Sequence, residues 1–341
     1  VSTQVMQHVR NLRDRFVRGV KSGMPDWDNK LIRKKATFLD RNTLDLEGEQ
    51  VTADKIIIAT GSRPIVPKPW QQYSEHLIHT DQFFELETLP KKMAVIGLGV
   101  IGIELGQALH NLGVEVIGIT VGKEIGGLTD PKIQDYVADK FSQEMTIHFN
   151  GANLIGTSEK GHLQVQADDK VYEVEKALVA VGRRPNIDNI NIENTDIKLN
   201  DRGLPEFDRN TLKIEDAPHI FIPGDINADR PLLHEAADEG RIAGYNAVNT
   251  EQCFKRRVPL GITFSEPNIA TVGARYAELK ANNTPFVSGE VSFEGQGRSI
   301  VKLKEQGLLH VYANEEDGTI LGAEIHAPDG EHLAHLLAWS I

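Results

Sequence analysis

The 341-residue sequence has one cysteine and no long apolar segment. Because Cys253 has no second cysteine to pair with, a disulfide within these residues is excluded and a reducing compartment is favoured. No run of about eighteen apolar residues, the length that spans a bilayer, is present, so we predict no membrane partner. The N-terminal residues VSTQVMQHVR lack an apolar signal core. These absences predict a cytoplasmic protein.

Basic residues are outnumbered by acidic ones. The sequence has 37 Lys and Arg against 49 Asp and Glu, for a formal net charge of −12. Nucleic acids bind proteins mainly through positive charge, so we predict no nucleic-acid partner. A metal site is not expected either, because the spacing of His326, His332 and His335 matches no zinc signature, and we interpret them as solvated helix histidines. The basic run from Lys255 to Arg257 is interpreted as an exposed loop rather than a phosphate site.

Residues 93–120, MAVIGLGVIGIELGQALHNLGVEVIGIT, predict a strand, a glycine turn, a helix and a second strand. In this pattern Gly97 makes a tight turn, Gly99 lets a pyrophosphate approach the backbone, and Gly102 lets helix and strand pack closely. The helix N-terminus supplies free N–H groups for the phosphates. Because strands and helix all flank the glycines, a dinucleotide site is favoured over a purely structural turn.

A second motif occurs twice, as KIIIATGSRP at 55–64 and as KALVAVGRRP at 176–185. In the second copy, Gly182 lies 85 residues after Gly97. The same spacing counted back from Gly61 points to a position before residue 1. We therefore expect an internal duplication, and a sequence that is a fragment whose first dinucleotide-binding loop lies upstream.

Periodicity predicts the other elements. Apolar spacing predicts an amphipathic helix over 2–22 and a helix over 133–145, and alternation predicts a meander over 36–53. Buried strands are expected at 55–61 and 219–226, the latter ending in Gly-Asp before an alanine-rich helix. From about residue 250, strands at 289–293, 300–304, 308–312 and 320–326 and a helix at 330–341 predict a separate α+β domain.

An ordered set of motifs resembles the flavoprotein disulfide reductases, most closely the dihydrolipoamide dehydrogenases. The motifs are ATG at 59–61, GLGVIGIELG at 97–106, VGRRPN at 181–186, GD at 224–225, HEAADEG at 234–240 and FSEPNIATVG at 264–273. The resemblance implies an α/β fold with two Rossmann-like dinucleotide-binding domains and a C-terminal α+β dimerisation domain, in a homodimer. The NAD domain (66–183) would be inserted in a discontinuous FAD domain (1–65 and 184–250), with the dimerisation domain at 251–341.

The resemblance also implies two cofactors, FAD and NAD. Asp225 would bind the ribityl chain of the flavin, and the helix that begins near Leu232 would direct its N-terminus at the flavin pyrimidine. Glu104 would lie near the nicotinamide carboxamide. The implied FAD residues are Thr60, Gly61, Ser62, Gly224, Asp225, Leu232, Leu233 and His234. The implied NAD residues are Gly97, Gly99, Val100, Ile101, Gly102, Glu104, Thr120 and Gly182.

The sequence departs from this family in two respects. The redox cysteine pair, spaced CxxxxC, and the catalytic His-Glu pair are absent, so no catalytic residue is predicted and we expect truncation at both ends and no activity from the 341 residues alone. Thr120 stands where NAD-specific members carry an acidic residue, and only Lys123 is near enough to favour a 2′-phosphate. NAD is therefore favoured, with NADP left open.

The expected function is electron transfer between a dithiol or disulfide such as dihydrolipoamide, FAD and NAD(H). Sister activities share every motif present: glutathione-type disulfide reduction, mercuric ion reduction and transhydrogenation between nicotinamides. A non-catalytic nucleotide-binding and dimerising module is the alternative from another class.

Overall fold

The computed structural model describes residues 2–24 and 30–341. Residues 1 and 25–29, which fall in the first predicted FAD segment, lie outside the described residues. The described helices are α1 (Ser2–Ser22), α2 (Thr80–Phe83), α3 (Val100–Asn111), α4 (Pro131–Glu144), α5 (Leu233–Val248), α6 (Tyr276–Ala281), α7 (Gly297–Val301) and α8 (Gly330–Ser340). Short 3₁₀ helices lie at Lys68–Tyr73, Ile192–Thr195 and Asp225–Asn227.

The strands of residues 2–24 and 30–341 fall into six sheets. They are β1 (Ala36–Phe38), β2 (Thr43–Leu46), β3 (Glu49–Thr52), β4 (Ile56–Ile57), β5 (Ser62–Pro64), β6 (Leu77–Ile78), β7 (Lys92–Ile96), β8 (Glu115–Ile119), β9 (Thr146–His148), β10 (Asn153–Thr157), β11 (Leu163–Ala167), β12 (Lys170–Val174), β13 (Lys176–Val179), β14 (Arg183–Pro185), β15 (Lys213–Ile214), β16 (Ala217–Phe221), β17 (Leu260–Thr263), β18 (Asn268–Gly273), β19 (Phe286–Ser292), β20 (Leu308–Asn314) and β21 (Ile320–Ala327). Together with the helices they form an α/β protein, as predicted.

The chain forms two compact units, and the first contains a parallel sheet in the order β6-β13-β7-β8-β9. This unit comprises α1 up to Arg15, residues 64–182 and residues 258–341. Its strands are apolar on both faces because each face is covered. Ile103 and Leu109 of α3 pack on one face, and the antiparallel sheet β10-β11-β12 packs on the other through residues such as Leu163 and Val165.

The same unit contains an antiparallel sheet in the order β17-β18-β21-β20-β19, against which α8 packs. The strand predicted at 300–304 is wrong, because Gly297–Val301 forms the short helix α7. The Ile300 N–H donates to the Gln296 carbonyl at 2.9 Å, which closes a helical turn. The β-branched and apolar residues of this stretch suggested burial in a strand, but Val301 and Leu303 are 76% and 91% exposed.

Two buried polar clusters join the start of α4 to the antiparallel sheet within this unit. Glu324 of β21 is fully buried and accepts backbone N–H groups of Thr129, Asp130 and Tyr276 at 2.6, 2.9 and 3.0 Å.

His310 of β20 forms the second cluster. Its Nδ1 lies 2.7 Å from Oδ2 of Asp130 and its Nε2 lies 2.9 Å from Oε2 of Glu290. The imidazole is itself buried. Burying a carboxylate or an imidazole costs less free energy when its polar atoms are paired, so these hydrogen bonds hold α4 against the sheet.

The second unit comprises residues 16–63 and 183–257. It contains the meander β1-β2-β3 that was predicted, the sheet β15-β16-β4, the pair β14-β5 and helix α5. The buried strand expected at 55–61 is only partly correct. Strand β4 has two residues and pairs in parallel with β16, and Ile57 is 43% exposed. Within the described residues β4 lies at the edge of its sheet, so its side chains are covered on fewer sides than those of β13.

Candidate functional site

The glycine turn after β7 has the close packing that its sequence predicts. Gly97 has a φ of +92°, and a Cβ there would lie 2.4 Å from the Ala180 carbonyl oxygen. A Cβ on Gly102 would lie 1.7 Å from the Gly97 carbonyl oxygen. Both positions therefore require glycine so that turn, helix and β13 can approach one another. Gly99 is different, because a Cβ there would meet no described atom within 4 Å.

The open space at Gly99 lies at the N-terminus of α3. Gly99 is the N-cap residue, and the Ile103 N–H donates to its carbonyl at 3.0 Å. The N–H groups of Val100, Ile101 and Gly102, in the first turn, have no carbonyl of their own helix to bind. Those donors and the positive end of the helix dipole favour an anion such as a pyrophosphate. The turn therefore fits a dinucleotide.

Glu104, one turn further along α3, has a contact that the sequence did not predict. Its Oε1 accepts the backbone N–H of Phe264 at 2.7 Å, and burial raises the pKa of its carboxyl. Gln107 donates to the Glu266 carbonyl and accepts the Glu266 N–H, both at 2.8 Å. Helix α3 is therefore fixed to the 264–266 loop. A role for Glu104 at the nicotinamide stays a prediction.

Thr120 directly follows β8, at the carboxyl edge of the parallel sheet where the ribose of a dinucleotide is expected. Its N–H donates to the His148 carbonyl, and its carbonyl accepts the Gly151 N–H, each at 2.8 Å. The Thr120 side chain is buried, whereas Val121 is 79% exposed. The Lys123 ammonium lies 2.6 Å from Oδ1 of Asp135, so its charge is already paired.

A polar cluster beside Thr120 was missed by sequence reasoning. Nδ1 of His148 lies 2.5 Å from Oδ2 of Asp168, and the Asn150 side-chain amide donates to Oδ1 of Asp168 at 2.6 Å. The hydrogen bonds from Asn150 and then His148 lower the pKa of the Asp168 carboxyl. The only sequence signal was two polar residues at the end of β9, His148 within the strand and Asn150 just after it, which is too weak to predict a contact with a distant hairpin.

Gly182, the last residue in chain order of the predicted NAD set, has a φ of +117°. Its carbonyl accepts the Ile65 N–H at 3.0 Å. A φ in this range favours glycine, which explains the residue without assigning it a ligand.

In the second unit, the structure brings Ser62 and Asp225 together. The Ser62 hydroxyl donates to Oδ2 of Asp225 at 2.7 Å and accepts Nε–H of Arg183 at 2.8 Å. Among the described residues no donor reaches Oδ1 of Asp225. That oxygen can accept a hydrogen bond from a ligand hydroxyl, which fits the ribityl chain of a flavin.

Thr60 and Gly61 are held by Asn186 of the second copy of the motif. The Thr60 hydroxyl donates to the Asn186 carbonyl at 2.8 Å, the Asn186 amide donates to the Thr60 carbonyl at 2.9 Å, and the Asn186 N–H donates to the Gly61 carbonyl at 2.9 Å. Gly61 has a φ of +68°. The two copies of the repeated motif therefore interlock through their loop residues.

Helix α5 begins after Leu232, its N-cap residue. Leu233 is 89% exposed and His234 is also exposed, so both face away from the described protein atoms. Glu239 of the same helix is fully buried and accepts the Gly224 N–H at 2.6 Å. Helix α5 thus fixes the turn that presents Asp225.

Two interpretations of charged residues were wrong. Arg256 is not an exposed loop residue, since its side chain is 10% exposed and bonds to Glu235 and Glu239. His326 is not a solvated helix residue, since it lies buried in β21 and its ring packs against Phe141 at 5.8 Å. Long-range packing, which residue spacing does not encode, accounts for both.

Two features are absent from residues 2–24 and 30–341. No helix in these ranges is long and apolar enough to cross a membrane. The same ranges contain no cluster of three or more His, Cys, Asp or Glu side chains that could hold a metal ion.

Comparison with known proteins places most of the chain in one family. The family model for pyridine nucleotide-disulphide oxidoreductases matches residues 11–240, and the model for the dimerisation domain of the same family matches residues 260–341. A dihydrolipoyl dehydrogenase of Bacillus subtilis is 29% identical over 99% of this chain and 74% of its own length. A mercuric reductase of Staphylococcus aureus is 30% identical over 86% of this chain and 55% of its own length.

The fold agrees with a solved structure. The HOCl-induced flavoprotein disulfide reductase RclA from Escherichia coli superposes with a TM-score of 0.84 at 22% identity, covering 99% of this chain and 78% of that one. Since the glycine turn, the Asp225 turn and the C-terminal sheet all fall within the matched ranges, the chain belongs to the pyridine nucleotide-disulphide oxidoreductase family.

Proposed function

We propose that this chain serves an FAD-dependent oxidoreductase that moves electrons between a dithiol such as dihydrolipoamide, FAD and NAD(H). Enzymes of the family use FAD and a pyridine nucleotide. The observation that carries the proposal is that each unit has its own nucleotide-type turn: open space at Gly99 in the first, and an oxygen of Asp225 without a donor among the described residues in the second.

Each residue has a role that follows from its contacts. Gly97 and Gly102 shape the turn, and the first-turn N–H groups of α3 bind the pyrophosphate of NAD. Ser62, ordered by Arg183, holds Asp225 so that its other oxygen accepts a ribityl hydroxyl. When bound, FAD supplies two-electron transfer between the thiol substrate and the nicotinamide. The chain binds and orients both cofactors.

A modest preference for NAD over NADP is also proposed. Lys123 is paired with Asp135 and therefore offers little to a 2′-phosphate. The buried Thr120 side chain neither repels that phosphate nor binds the ribose as strongly as a carboxylate would.

The match of residues 260–341 to the family's dimerisation domain supports a homodimer. Leu336 and Trp339 of α8, which are 64% and 88% exposed, offer apolar surface for such an interface. A cytoplasmic location and inactivity of the 341 residues alone stay predictions.

The test uses the full-length gene product. We expect a bound-flavin spectrum, and dihydrolipoamide-dependent reduction of NAD⁺ in preference to reduction of mercuric ion or glutathione disulfide. Asp225→Ala should weaken FAD binding about 10- to 150-fold, because a hydrogen bond to a charged group contributes about 1.5–3 kcal/mol. Asp201→Asn, in an exposed turn of the same unit, is the control.

Three outcomes would contradict the proposal in different ways. Preferential reduction of mercuric ion would favour that sister activity, which the Staphylococcus aureus relative represents. Binding of nucleotide without any turnover by the full-length product would favour a non-catalytic module. Unchanged FAD affinity in Asp225→Ala would remove Asp225 from the flavin site.

A further inference from the structure

Arg256 is a buried arginine in a stretch that neither family model matches. The matched ranges end at residue 240 and resume at residue 260, so Arg256 lies between them. It is 10% exposed, whereas its neighbour Arg257 is 79% exposed. We infer that Arg256 is a positioning residue that holds the turn carrying Asp225 and tunes the flavin potential, an inference that rests on the proposed function.

The contacts form a continuous path from Arg256 to the Asp225 turn. Nη2 of Arg256 lies 2.6 Å from Oε2 of Glu235 and 2.8 Å from Oε1 of Glu239. The other oxygen of Glu239 accepts the Gly224 N–H at 2.6 Å and the Asn227 side-chain amide at 2.7 Å. Gly224 and Asn227 lie on either side of Asp225 and Ile226, so the orientation of Glu239 sets the shape of the turn.

The packing leaves this turn little freedom to adjust. Gly224 has a φ of +82°, and a Cβ there would lie 3.3 Å from the Cβ of Ala236. The Asn227 amide also donates to the Ile222 carbonyl at 3.0 Å. Movement of Glu239 would therefore be transmitted to the backbone of the turn and to the Asp225 carboxylate.

Besides holding the turn, Arg256 contributes a positive charge that affects the flavin potential. Glu235 and Glu239 lie one turn apart in the N-terminal half of α5, are 5% and 0% exposed, and would repel each other without a shared cation. Of these two carboxylates the second arginine, Arg230, reaches only Glu235, at 3.4 Å; it also donates to the Arg257 carbonyl at 3.1 Å and is 26% exposed. Reduction adds negative charge to the flavin ring, toward which the N-terminus of α5 is proposed to point. Removal of the Arg256 charge should therefore disfavour the reduced flavin.

The experiment compares Arg256→Gln with Arg256→Lys and Arg257→Gln in the flavin-loaded full-length protein. Since a single nitrogen of Arg256 contacts both carboxylates, a lysine ammonium can replace it. We expect Arg256→Gln to weaken FAD binding at least about tenfold and to lower the midpoint potential. A tenfold loss of preference for the reduced flavin corresponds to about 30 mV for a two-electron couple. Arg256→Lys should restore most of both properties, and Arg257→Gln should match the wild type.

Glu235→Gln provides a test of opposite sign that remains informative if Arg256→Gln does not fold. Removing a negative charge should raise the potential, and the Arg256→Gln/Glu235→Gln double variant should return it toward the wild-type value. A potential unchanged in Glu235→Gln, or a folded Arg256→Gln protein with wild-type flavin affinity and potential, would overturn the inference. A wild-type protein that binds no FAD would instead refute the proposed function, so the two failures can be told apart.

Discussion

Replacing Gly99 with valine tests whether the open space at the start of α3 is a nucleotide site. Gly99 has a φ of −64°, which valine adopts, and its Cβ would meet no described atom within 4 Å. The fold should therefore accept the side chain, with a change in the free energy of unfolding of about 1 kcal/mol or less. A bound pyrophosphate would lose its approach to the backbone, because the new methyl groups occupy the space that it needs.

The size of the effect follows from the hydrogen bonds at risk. A hydrogen bond to a charged group contributes about 1.5–3 kcal/mol, so loss of one strong bond should raise the Kd for NADH about 10- to 150-fold. Calorimetric titration with NADH measures this change. The visible spectrum of the same preparation should show FAD still bound, because the proposed flavin residues belong to the other unit.

Two further variants on the same helix separate binding from folding. A Cβ on Gly106 would lie 3.8 Å from Val95, an ordinary contact, so Gly106→Ala should bind NADH as the wild type does. Gly102→Ala should unfold at lower denaturant, since its Cβ would overlap the Gly97 carbonyl oxygen. Wild-type NADH affinity in Gly99→Val would refute a nucleotide site at this turn. Equal loss of NADH and FAD would refute the reasoning about two separate sites.

Three other predictions concern selectivity and stability. We expect the wild type to prefer NADH over NADPH about tenfold in kcat/KM, or by about 1.4 kcal/mol, and Thr120→Glu should widen this preference. A wild-type preference for NADPH would show that the ribose lies elsewhere. Burial, and then the nearby Lys140, lower the pKa of His326 from 6.5 to about 4. The imidazole therefore takes up a proton at a higher pH in the unfolded chain than in the folded one. The free energy of unfolding should be at its full value above about pH 6.5 and should fall by about 2 kcal/mol toward about pH 5. Urea titration of His326→Phe should show a smaller fall. His310→Leu should lower the free energy of unfolding by about 2 kcal/mol, because Asp130 loses the imidazole and keeps only the Tyr312 hydroxyl and the Lys132 N–H as donors. His332→Leu, at an exposed position of α8, should leave the free energy of unfolding within about 0.5 kcal/mol.

The elements that the sequence predicted best are those whose causes are local. Helix α3 follows from a glycine turn and apolar residues at helical spacing, and α1 follows from one apolar stripe. The strand predicted at 300–304 was wrong because the β-branched residues there were interpreted as buried. A residue type favours a strand only when a neighbouring strand can pair with it, and that neighbour is set by the whole sheet.

The site residues show the same difference between local causes, which the sequence predicts, and long-range contacts, which it does not. Motif spacing was enough to name Gly97, Gly99 and Gly102, because their roles depend on a turn within six residues of chain. The Ser62–Asp225 contact joins residues 163 positions apart, and the Arg256–Glu239 pair depends on the return of the chain across α5. No local pattern marks such partners, so the burial of Arg256 does not follow from the sequence around it.

Glu324 also has a consequence for the dynamics of the loop before α4. Thr129 and Asp130 lie outside regular secondary structure, where backbone amides usually exchange with solvent quickly. Their N–H groups, together with that of Tyr276, donate to a carboxylate with no exposure to water. Local opening of the loop would leave this buried carboxylate with only the Tyr276 N–H as a backbone donor, which disfavours opening of the loop by itself. In hydrogen-exchange mass spectrometry these amides should therefore keep their protons about as long as those of strand β21, so that loop and strand open as one cooperative unit.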